Sequence, residues 1–246
     1  MGKDKVINGV KDHLNEYSSF LNKLLKRFLK NPISPDLEKR ILSAVILVPV
    51  AVYAIAFSLS LFLLITIILV VLMTSEWIEI TKTATNKKKW HLIGIAYITI
   101  PIFCVLTIRM FDPEVLLWMF CVIWATDIFA FFAGRTFGGP KMAPSISPNK
   151  TWTGLVGGIL ASMIIGFLSS FIFSGTIAFF VLVSAFLTII EQLGDLTESK
   201  IKRLFNVKDS GSIIPGHGGV LDRLDGLLFV APFIFFLILF FPNNFL

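Results

Sequence analysis

The sequence predicts an all-α polytopic integral membrane protein, with about seven transmembrane helices and an amphipathic helix before them. Of the 246 residues, 55% are hydrophobic and only 15% are charged, and the mean hydropathy is +0.82. A soluble domain carries about 25% charged residues. The apolar runs also supply roughly seven segments of about 20 residues, the length that crosses a bilayer. A soluble globular protein is therefore excluded.

Residues 1–40 form a polar, basic segment that we expect to be cytoplasmic, ahead of a transmembrane domain over 41–246. Apolar residues recur from Val10 to Phe28 at alternating spacings of four and three, which is typical of one helix face. Because basic residues accompany that face, the pattern favours a helix lying on an anionic membrane surface. A short coiled coil is the alternative.

The apolar run from Ile41 to Thr74 is too long for one span, and Ser58-Leu59-Ser60 near its middle offers a turn, so the run predicts a helical hairpin. Polar residues, glycines or prolines bound the other predicted spans, which are Leu92–Ile108, Val115–Ala133, Gly154–Phe173, Thr176–Leu193 and Leu224–Phe241. The intervening segments 134–153 and 194–223 are predicted to be loops.

The basic residues lie almost entirely on one side of this topology. With the N-terminus in the cytoplasm, the segments 1–40, 75–91, 134–153 and 194–223 are cytoplasmic and hold all 22 Lys and Arg residues except Arg109. Such a bias sets the orientation of a membrane protein, so we expect the C-terminus outside. The net charge of +6 indicates an anionic leaflet or anionic ligands, and no nucleic acid. The size of the chain suggests a bacterial inner membrane.

Two acidic residues, Asp127 and Glu191, lie inside apolar runs. An ionised side chain is costly there unless it is paired, hydrated or bound to a cation, so both are candidate site residues. A Glu191 that merely reaches interfacial water is the alternative. Cys104 and Cys121 have no neighbouring Cys or His at metal-binding spacing and are expected to be packing residues.

The 134–153 loop ends in Ser147-Pro148-Asn149-Lys150-Thr151, just before a predicted helix start. Lys150, the Thr151 hydroxyl and unpaired backbone N–H groups could receive phosphate oxygens there. The glycines earlier in the loop do not form a P-loop, because Pro140 stands where that motif requires lysine. We expect a mobile phosphate-binding loop, and a generic basic loop with a helix cap is the alternative.

The segment from Asp195 to Asp225 interleaves carboxylates with bases and a glycine-rich turn. If its last part is helical, Asp222 and Asp225 share one face and can reach one hard cation. Glycines allow the backbone to approach a ligand closely. The glycines and bases concerned are Gly216, Gly218, Gly219, Lys202, Arg203 and Lys208. A divalent cation with bases around a polyphosphate is the arrangement used for phosphoryl or nucleotidyl transfer.

At these residues the sequence resembles the phosphatidate cytidylyltransferase family, also called CDP-diacylglycerol synthases. The matched signature positions are Ser199, Lys202, Arg203, Lys208, Asp209, Pro215, His217, Gly218, Gly219, Asp222, Arg223 and Asp225. Asp127 followed by Gly134-Arg135 and Gly138 looks like a second element of the family, and Ser147-Pro148-x-Lys150-Thr151 looks like a third. Thr153 departs from the family pattern, which usually has Glu before the glycine at 154.

The resemblance implies Mg²⁺-dependent transfer of CMP from CTP to phosphatidic acid at a bilayer surface, giving CDP-diacylglycerol and pyrophosphate. It implies a catalytic set comprising Asp195, Ser199, Lys202, Arg203, Lys208, Asp209, His217, Asp222, Arg223 and Asp225. The substrate-binding set comprises Asp127, Arg135, Ser147, Lys150, Thr151, Gly218 and Gly219. Asp195, Asp222 and Asp225 are the expected metal ligands. A second, monovalent cation and a homodimer are left open.

The lipid phosphate is already an anion and needs no strong base, so His217 is expected to organise the loop or donate to a phosphate. A general base is the alternative role. A CTP-dependent lipid kinase and a membrane transporter are the alternative functions. A CDP-alcohol phosphotransferase would share Asp222-x-x-Asp225-Gly226, but Leu227 to Phe241 has none of the charged residues that such an enzyme needs.

Overall fold

The computed structural model describes residues 35–211 and 218–245, with side chains from residue 45 onward. The chain divides into two compact units, Met1–Ser43 and Ala44–Leu246, and every contact described below lies within the second. The expected amphipathic helix from Val10 to Phe28 lies outside the described residues, as does His217.

The described chain is almost entirely helical. Its helices are α1 (Pro35–Phe57), α2 (Leu59–Ile80), α3 (Lys87–Phe111), α4 (Pro113–Phe137), α5 (Trp152–Ser169), α6 (Ile177–Leu204) and α7 (Leu221–Phe240). Two short strands, β1 (Lys141–Ala143) and β2 (Ser147–Thr151), pair antiparallel between α4 and α5.

Six helices in the described part of the chain are long and apolar enough to cross a membrane, and Val45–Phe57 within α1 is a shorter apolar stretch. The predicted fold class is confirmed. The break predicted inside the long apolar run is present, since α1 ends at Phe57 and α2 begins at Leu59, and the hairpin itself stays a prediction. Ser58 caps α2, because its hydroxyl accepts a hydrogen bond from the Leu61 backbone N–H at 3.3 Å.

Two predicted loops were wrong in part. Helix α6 continues past Leu193 to Leu204, and α7 begins at Leu221, so most of the signature lies on helices. Hydropathy ends a span at its first charged residues, whereas the helix continues because those side chains find partners on neighbouring elements. The 134–153 segment, expected to be a mobile loop, contains the β1–β2 hairpin, in which Lys141 pairs with Thr151.

Small residues let the helices that carry the site approach closely. A Cβ on Gly157 would stand 2.4 Å from the Ala133 Cβ of α4, and one on Gly166 of α5 would stand 2.4 Å from the Phe180 carbonyl oxygen of α6. Membrane helices associate through such small-residue contacts, because lipid provides no hydrophobic driving force between them. Helices α4, α5 and α6 therefore pack in sequence, and α7 packs beside α6.

Candidate active site

Helices α6 and α7 meet through two glycines. A Cβ on Gly194 would lie 2.8 Å from the Asp225 carbonyl oxygen, and a Cβ on Gly226 would lie 2.6 Å from the Glu191 Cγ. The two backbones can approach only because these positions carry no side chain. As a result, the acidic residues at the end of α6 face those in the first turns of α7.

Asp195 is held by residues from two elements. Its carboxylate forms an ion pair with Lys150, which comes from strand β2. The Ser199 hydroxyl donates to Asp195 Oδ1 at 3.2 Å from one turn further along α6. Lys150 Nζ also donates to Gln192 Oε1 at 2.8 Å. The Lys150 side chain is 16% exposed, so the lysine is nearly enclosed between the hairpin and α6.

Asp225 lies within electrostatic range of Asp195, Glu198 and Asp127. Glu198 is 1% exposed. Its Oε1 lies 3.2 Å from Lys202 Nζ. Lys202 therefore compensates the charge of Glu198, whereas Asp225 lies among several acids, an environment that favours a bound cation.

Asp222 has both oxygens engaged. Oδ1 forms an ion pair with Lys202, and Oδ2 accepts from the backbone N–H of Ser210 at 2.9 Å and of Gly219 at 3.1 Å. Lys202 is buried between Asp222 and Glu198. The expected helical start of α7 is thus present. Asp222 connects it to Lys202 of α6 and to Ser210 and Gly219, which precede α7 in the chain.

The acids predicted inside the membrane also belong to this cluster. Asp127 of α4 lies within electrostatic range of Glu191 of α6, and Gln192 Nε2 donates to Glu191 Oε2 at 2.8 Å. Asp127 lies on an exposed part of α4, whereas Glu191 is buried. The cluster therefore extends from the ends of α6 and α7 to an exposed position on α4.

Other predicted residues support the surroundings of the cluster. Thr151 is buried and caps α5, since its hydroxyl accepts from the Gly154 N–H at 3.1 Å. Gly218 has a positive φ of 79°, which favours glycine. Arg203 is exposed, and its Nε donates to the Ile146 carbonyl at 3.3 Å, which ties α6 to the hairpin.

The remaining predicted residues lie nearer the surface. The Arg135 guanidinium stands 5.9 Å from the centroid of the Phe131 ring. Among residues 35–211 and 218–245, the structure does not place this arginine in the hydrogen-bonded cluster, nor does it place the exposed Lys208 and Asp209 or the half-buried Ser147 there. Arg223 is exposed on the first turn of α7 and lies within electrostatic range of Asp127.

No group of three or more His, Cys, Asp or Glu side chains that could hold a metal ion occurs within 35–211 and 218–245. Asp195, Asp222 and Asp225 therefore do not form a three-carboxylate site in this arrangement, because Asp222 is turned to Lys202 and two backbone N–H groups. Asp195 and Asp225 still fit Mg²⁺, which is commonly bound by one or two carboxylates together with substrate phosphates. The metal assignment stays a prediction.

Sequence reasoning missed Glu198, Gln192 and Glu76. Glu191, Asp195, Glu198 and Lys202 follow one another at helical spacings of four, three and four, a signal that the predicted end of the span at Leu193 concealed. Glu76 is 3% exposed on α2. Its two oxygens accept from the N–H groups of Val220 and Leu221, both at 2.8 Å, and from the Ser210 hydroxyl at 3.1 Å.

The fold and this cluster define an integral membrane protein with a charged site at one end of its helix bundle. The sequence model of the cytidylyltransferase family matches residues 90–241. The chain is 42% identical over 219 residues to a phosphatidate cytidylyltransferase of Rickettsia bellii (strain RML369-C). The aligned region covers 85% of this chain and 93% of that protein.

Two further relatives carry the same name. The protein of Rickettsia felis (strain ATCC VR-1525 / URRWXCal2) is 44% identical over 209 residues, covering 80% of this chain and 90% of the relative. The protein of Brucella abortus biovar 1 (strain 9-941) is 39% identical over 169 residues, covering 67% of this chain and 60% of the relative. This chain belongs to the phosphatidate cytidylyltransferase family and is a nucleotidyltransferase, as the signature residues indicated.

Proposed function

We propose that the protein transfers CMP from CTP to phosphatidic acid at the membrane surface. A phosphate oxygen of the lipid forms a bond to the α-phosphorus of CTP, and the bond from that phosphorus to the bridging oxygen breaks, so that CDP-diacylglycerol forms and pyrophosphate leaves. Support comes from family membership and from the cluster of acids and bases at the ends of membrane helices α6 and α7.

The position of the cluster suits one substrate in the membrane and one in water. Phosphatidic acid remains in the bilayer, and CTP arrives from solution. Asp127 lies on an exposed part of α4, and it is linked through Glu191 to the α6 acids. In this proposal the lipid phosphate enters beside α4, and CTP enters beside the hairpin and the start of α7.

In this proposal Asp195 and Asp225 would hold Mg²⁺. Bound Mg²⁺ neutralises charge on the triphosphate during transfer. Lys150 is the base nearest Asp195, and it contacts phosphate by exchanging its ion pair with that carboxylate for one with substrate. Arg223 and the exposed Arg203 and Lys208 supply further positive charge at the entrance. Ser199 orients Asp195, and Asp222 fixes the first turn of α7.

We assign Lys202 a role other than the phosphate contact that was expected from the sequence. It is buried and paired with both Glu198 and Asp222, so we assign it to holding these carboxylates rather than to binding substrate. No role is assigned to His217 from structure, because it lies outside the described residues. Its expected part as loop organiser or phosphate donor is retained.

We place the cluster on the cytoplasmic side of a bacterial inner membrane, with the N-terminus inside. The basic residues support this orientation, and the named relatives are bacterial. CTP is a cytoplasmic metabolite, so this orientation also gives the site access to its soluble substrate.

Label transfer tests the proposed reaction. Purified protein receives Mg²⁺, phosphatidic acid and CTP carrying label in either the α- or the γ-phosphate, and lipids are separated by thin-layer chromatography. We expect α-label in a lipid that co-migrates with CDP-diacylglycerol, and no γ-label in lipid. dATP and diacylglycerol serve as controls. Transfer of γ-label to diacylglycerol would indicate a CTP-dependent lipid kinase. The absence of any labelled lipid would favour the alternative function, a membrane transporter.

A further inference from the structure

Glu76 forms a buried contact between α2 and the start of α7. It is 3% exposed, and its carboxylate accepts hydrogen bonds from the Val220 and Leu221 N–H groups and from the Ser210 hydroxyl. Helix α2 lies before the part of the chain that the family model matches. One carboxylate therefore holds residues on both sides of segment 212–217, which belongs to the signature.

The neighbouring glycines leave room for this contact. A Cβ on Gly219 would lie 1.8 Å from Ser210 Oγ and 2.8 Å from Glu76 Oε2. A Cβ on Gly211 would lie 2.8 Å from Glu76 Oε1. Neither position can accept a larger residue without displacing the carboxylate, so the two glycines and Glu76 form one packed unit.

Glu76 also occupies the N-terminus of α7. A helix N-terminus attracts negative charge through its unpaired N–H groups and its dipole. Here the Val220 and Leu221 N–H groups are bonded to Glu76, and the Ser210 and Gly219 N–H groups are bonded to Asp222. These four donors are therefore engaged by the protein's own carboxylates and are not free to receive an anion in this arrangement.

We infer that Glu76 is a positioning residue for nucleotidyl transfer. By fixing the first turn of α7 it sets the register at which Asp222 meets Lys202 and Asp225 faces Asp195. This inference rests on the proposed function. Glu76 itself is too enclosed to contact substrate, so it acts through Asp222 and Asp225, and its removal affects turnover more than substrate binding.

The test compares Glu76→Gln with Glu79→Gln. Glutamine keeps the size of the side chain but offers one acceptor oxygen and presents an amide donor to the N–H groups. Glu79 is on the same helix, exposed and paired only with Lys82 in the structure described, which makes it a matched control. We expect Glu76→Gln to lower kcat about 100-fold, since small misplacements cost that much, with a smaller change in KM for CTP and for phosphatidic acid. Glu79→Gln should match the wild type.

Folding is measured on the same samples through the melting temperature and the folded fraction in detergent. A wild-type kcat for folded Glu76→Gln, or a loss in strict proportion to lost folded protein, would overturn the inference. A wild-type protein that makes no CDP-diacylglycerol would instead overturn the proposed function, so the two failures are distinguishable.

Ser210→Ala provides a second, gentler variant. It removes the hydroxyl that donates to Glu76 and lies 3.4 Å from the Asp222 N–H, while the carboxylate and its two backbone bonds remain. We expect kcat to fall about tenfold, while the loss of one hydrogen bond should lower the melting temperature by only about 2–4 °C. If Glu76→Gln fails to fold, Ser210→Ala alone tests the inference. An unchanged kcat for Ser210→Ala would then overturn it.

Discussion

Lys150 joins the β-hairpin to α6 through its ion pair with Asp195 and its hydrogen bond to Gln192. Lys141, in the same hairpin, is exposed. We expect Lys150→Ala to lower kcat/KM for CTP or for phosphatidic acid about 10- to 100-fold, the range for one hydrogen bond to a charged group. Lys141→Ala should leave both values near the wild type. Steady-state kinetics with each substrate varied in turn measures this, and equal small losses at both positions would favour a generic basic loop.

Lys202 is the buried cation between Glu198 and Asp222. Removing one member of a buried ion pair leaves an uncompensated charge, which costs about 3–5 kcal/mol. Lys202→Met should therefore lower the melting temperature and the yield of folded protein strongly, whereas the exposed Lys200→Ala should change neither. Adding Glu198→Gln to Lys202→Met should recover part of the loss. An unaltered melting temperature for Lys202→Met would show that the lysine is not needed for folding.

At the scale of elements, the junction of α6 and α7 depends on glycine. A methyl group on Gly194 would lie 2.8 Å from the Asp225 carbonyl oxygen, so Gly194→Ala must push α7 away. We expect a loss of about 1–3 kcal/mol in stability, typical of overpacking, and reduced activity in the protein that still folds. Leu193→Ala, at an exposed neighbouring position, is the control. Melting temperature and specific activity report the two effects, and a Gly194→Ala protein matching Leu193→Ala would contradict the close packing.

The sequence predicted these elements well where the pattern is local. The break at Ser58 follows from a short-range signal and is present, and the helix that would bring Asp222 and Asp225 onto one face is present as well, although the predicted span began only at Leu224. The end of α6 was wrong because hydropathy treats Asp195 as the start of a loop, although Lys150 compensates its charge. The hairpin was missed because its strands, Lys141–Ala143 and Ser147–Thr151, are too short to show an alternating pattern.

The site could be predicted only as far as its signature reaches. Lys202 and Asp222 belong to the signature, and the structure shows them in an ion pair. Asp195 was expected just before the signature, and its ion pair is with Lys150. The contact of Glu76 with Val220 joins residues 144 positions apart, and such a pairing leaves no local trace. The predicted span also ended at Thr74, which assigned Glu76 to a loop and removed it from the acids expected inside the membrane.

For the whole molecule, the basic residues predict seven spans with the N-terminus inside and the C-terminus outside. Reporter fusions after Phe57, Lys88, Gly139 and Leu246 should report outside, inside, inside and outside, since Lys and Arg in short loops stay cytoplasmic. Alkaline phosphatase and a fluorescent protein give opposite signals for the two sides. An outside signal at Gly139 would place the hairpin and its Lys150 away from cytoplasmic CTP, and an inside signal at Leu246 would change the number of spans.

We propose that nucleotidyl transfer depends on a cation held between α6 and α7, and the Mg²⁺ dependence of Asp225→Asn tests this claim most directly. An amide oxygen can still coordinate Mg²⁺ but brings no charge, so affinity for the ion falls. Asp225→Asn should be nearly inactive at the Mg²⁺ concentration that saturates the wild type and should partly recover as Mg²⁺ is raised. Asp222→Asn should stay inactive at every Mg²⁺ concentration. This substitution removes the ion pair with Lys202 and weakens the bonds to the Ser210 and Gly219 N–H groups, and added Mg²⁺ replaces neither. Folded Asp225→Asn with the wild-type rate and the wild-type Mg²⁺ requirement would contradict the claim.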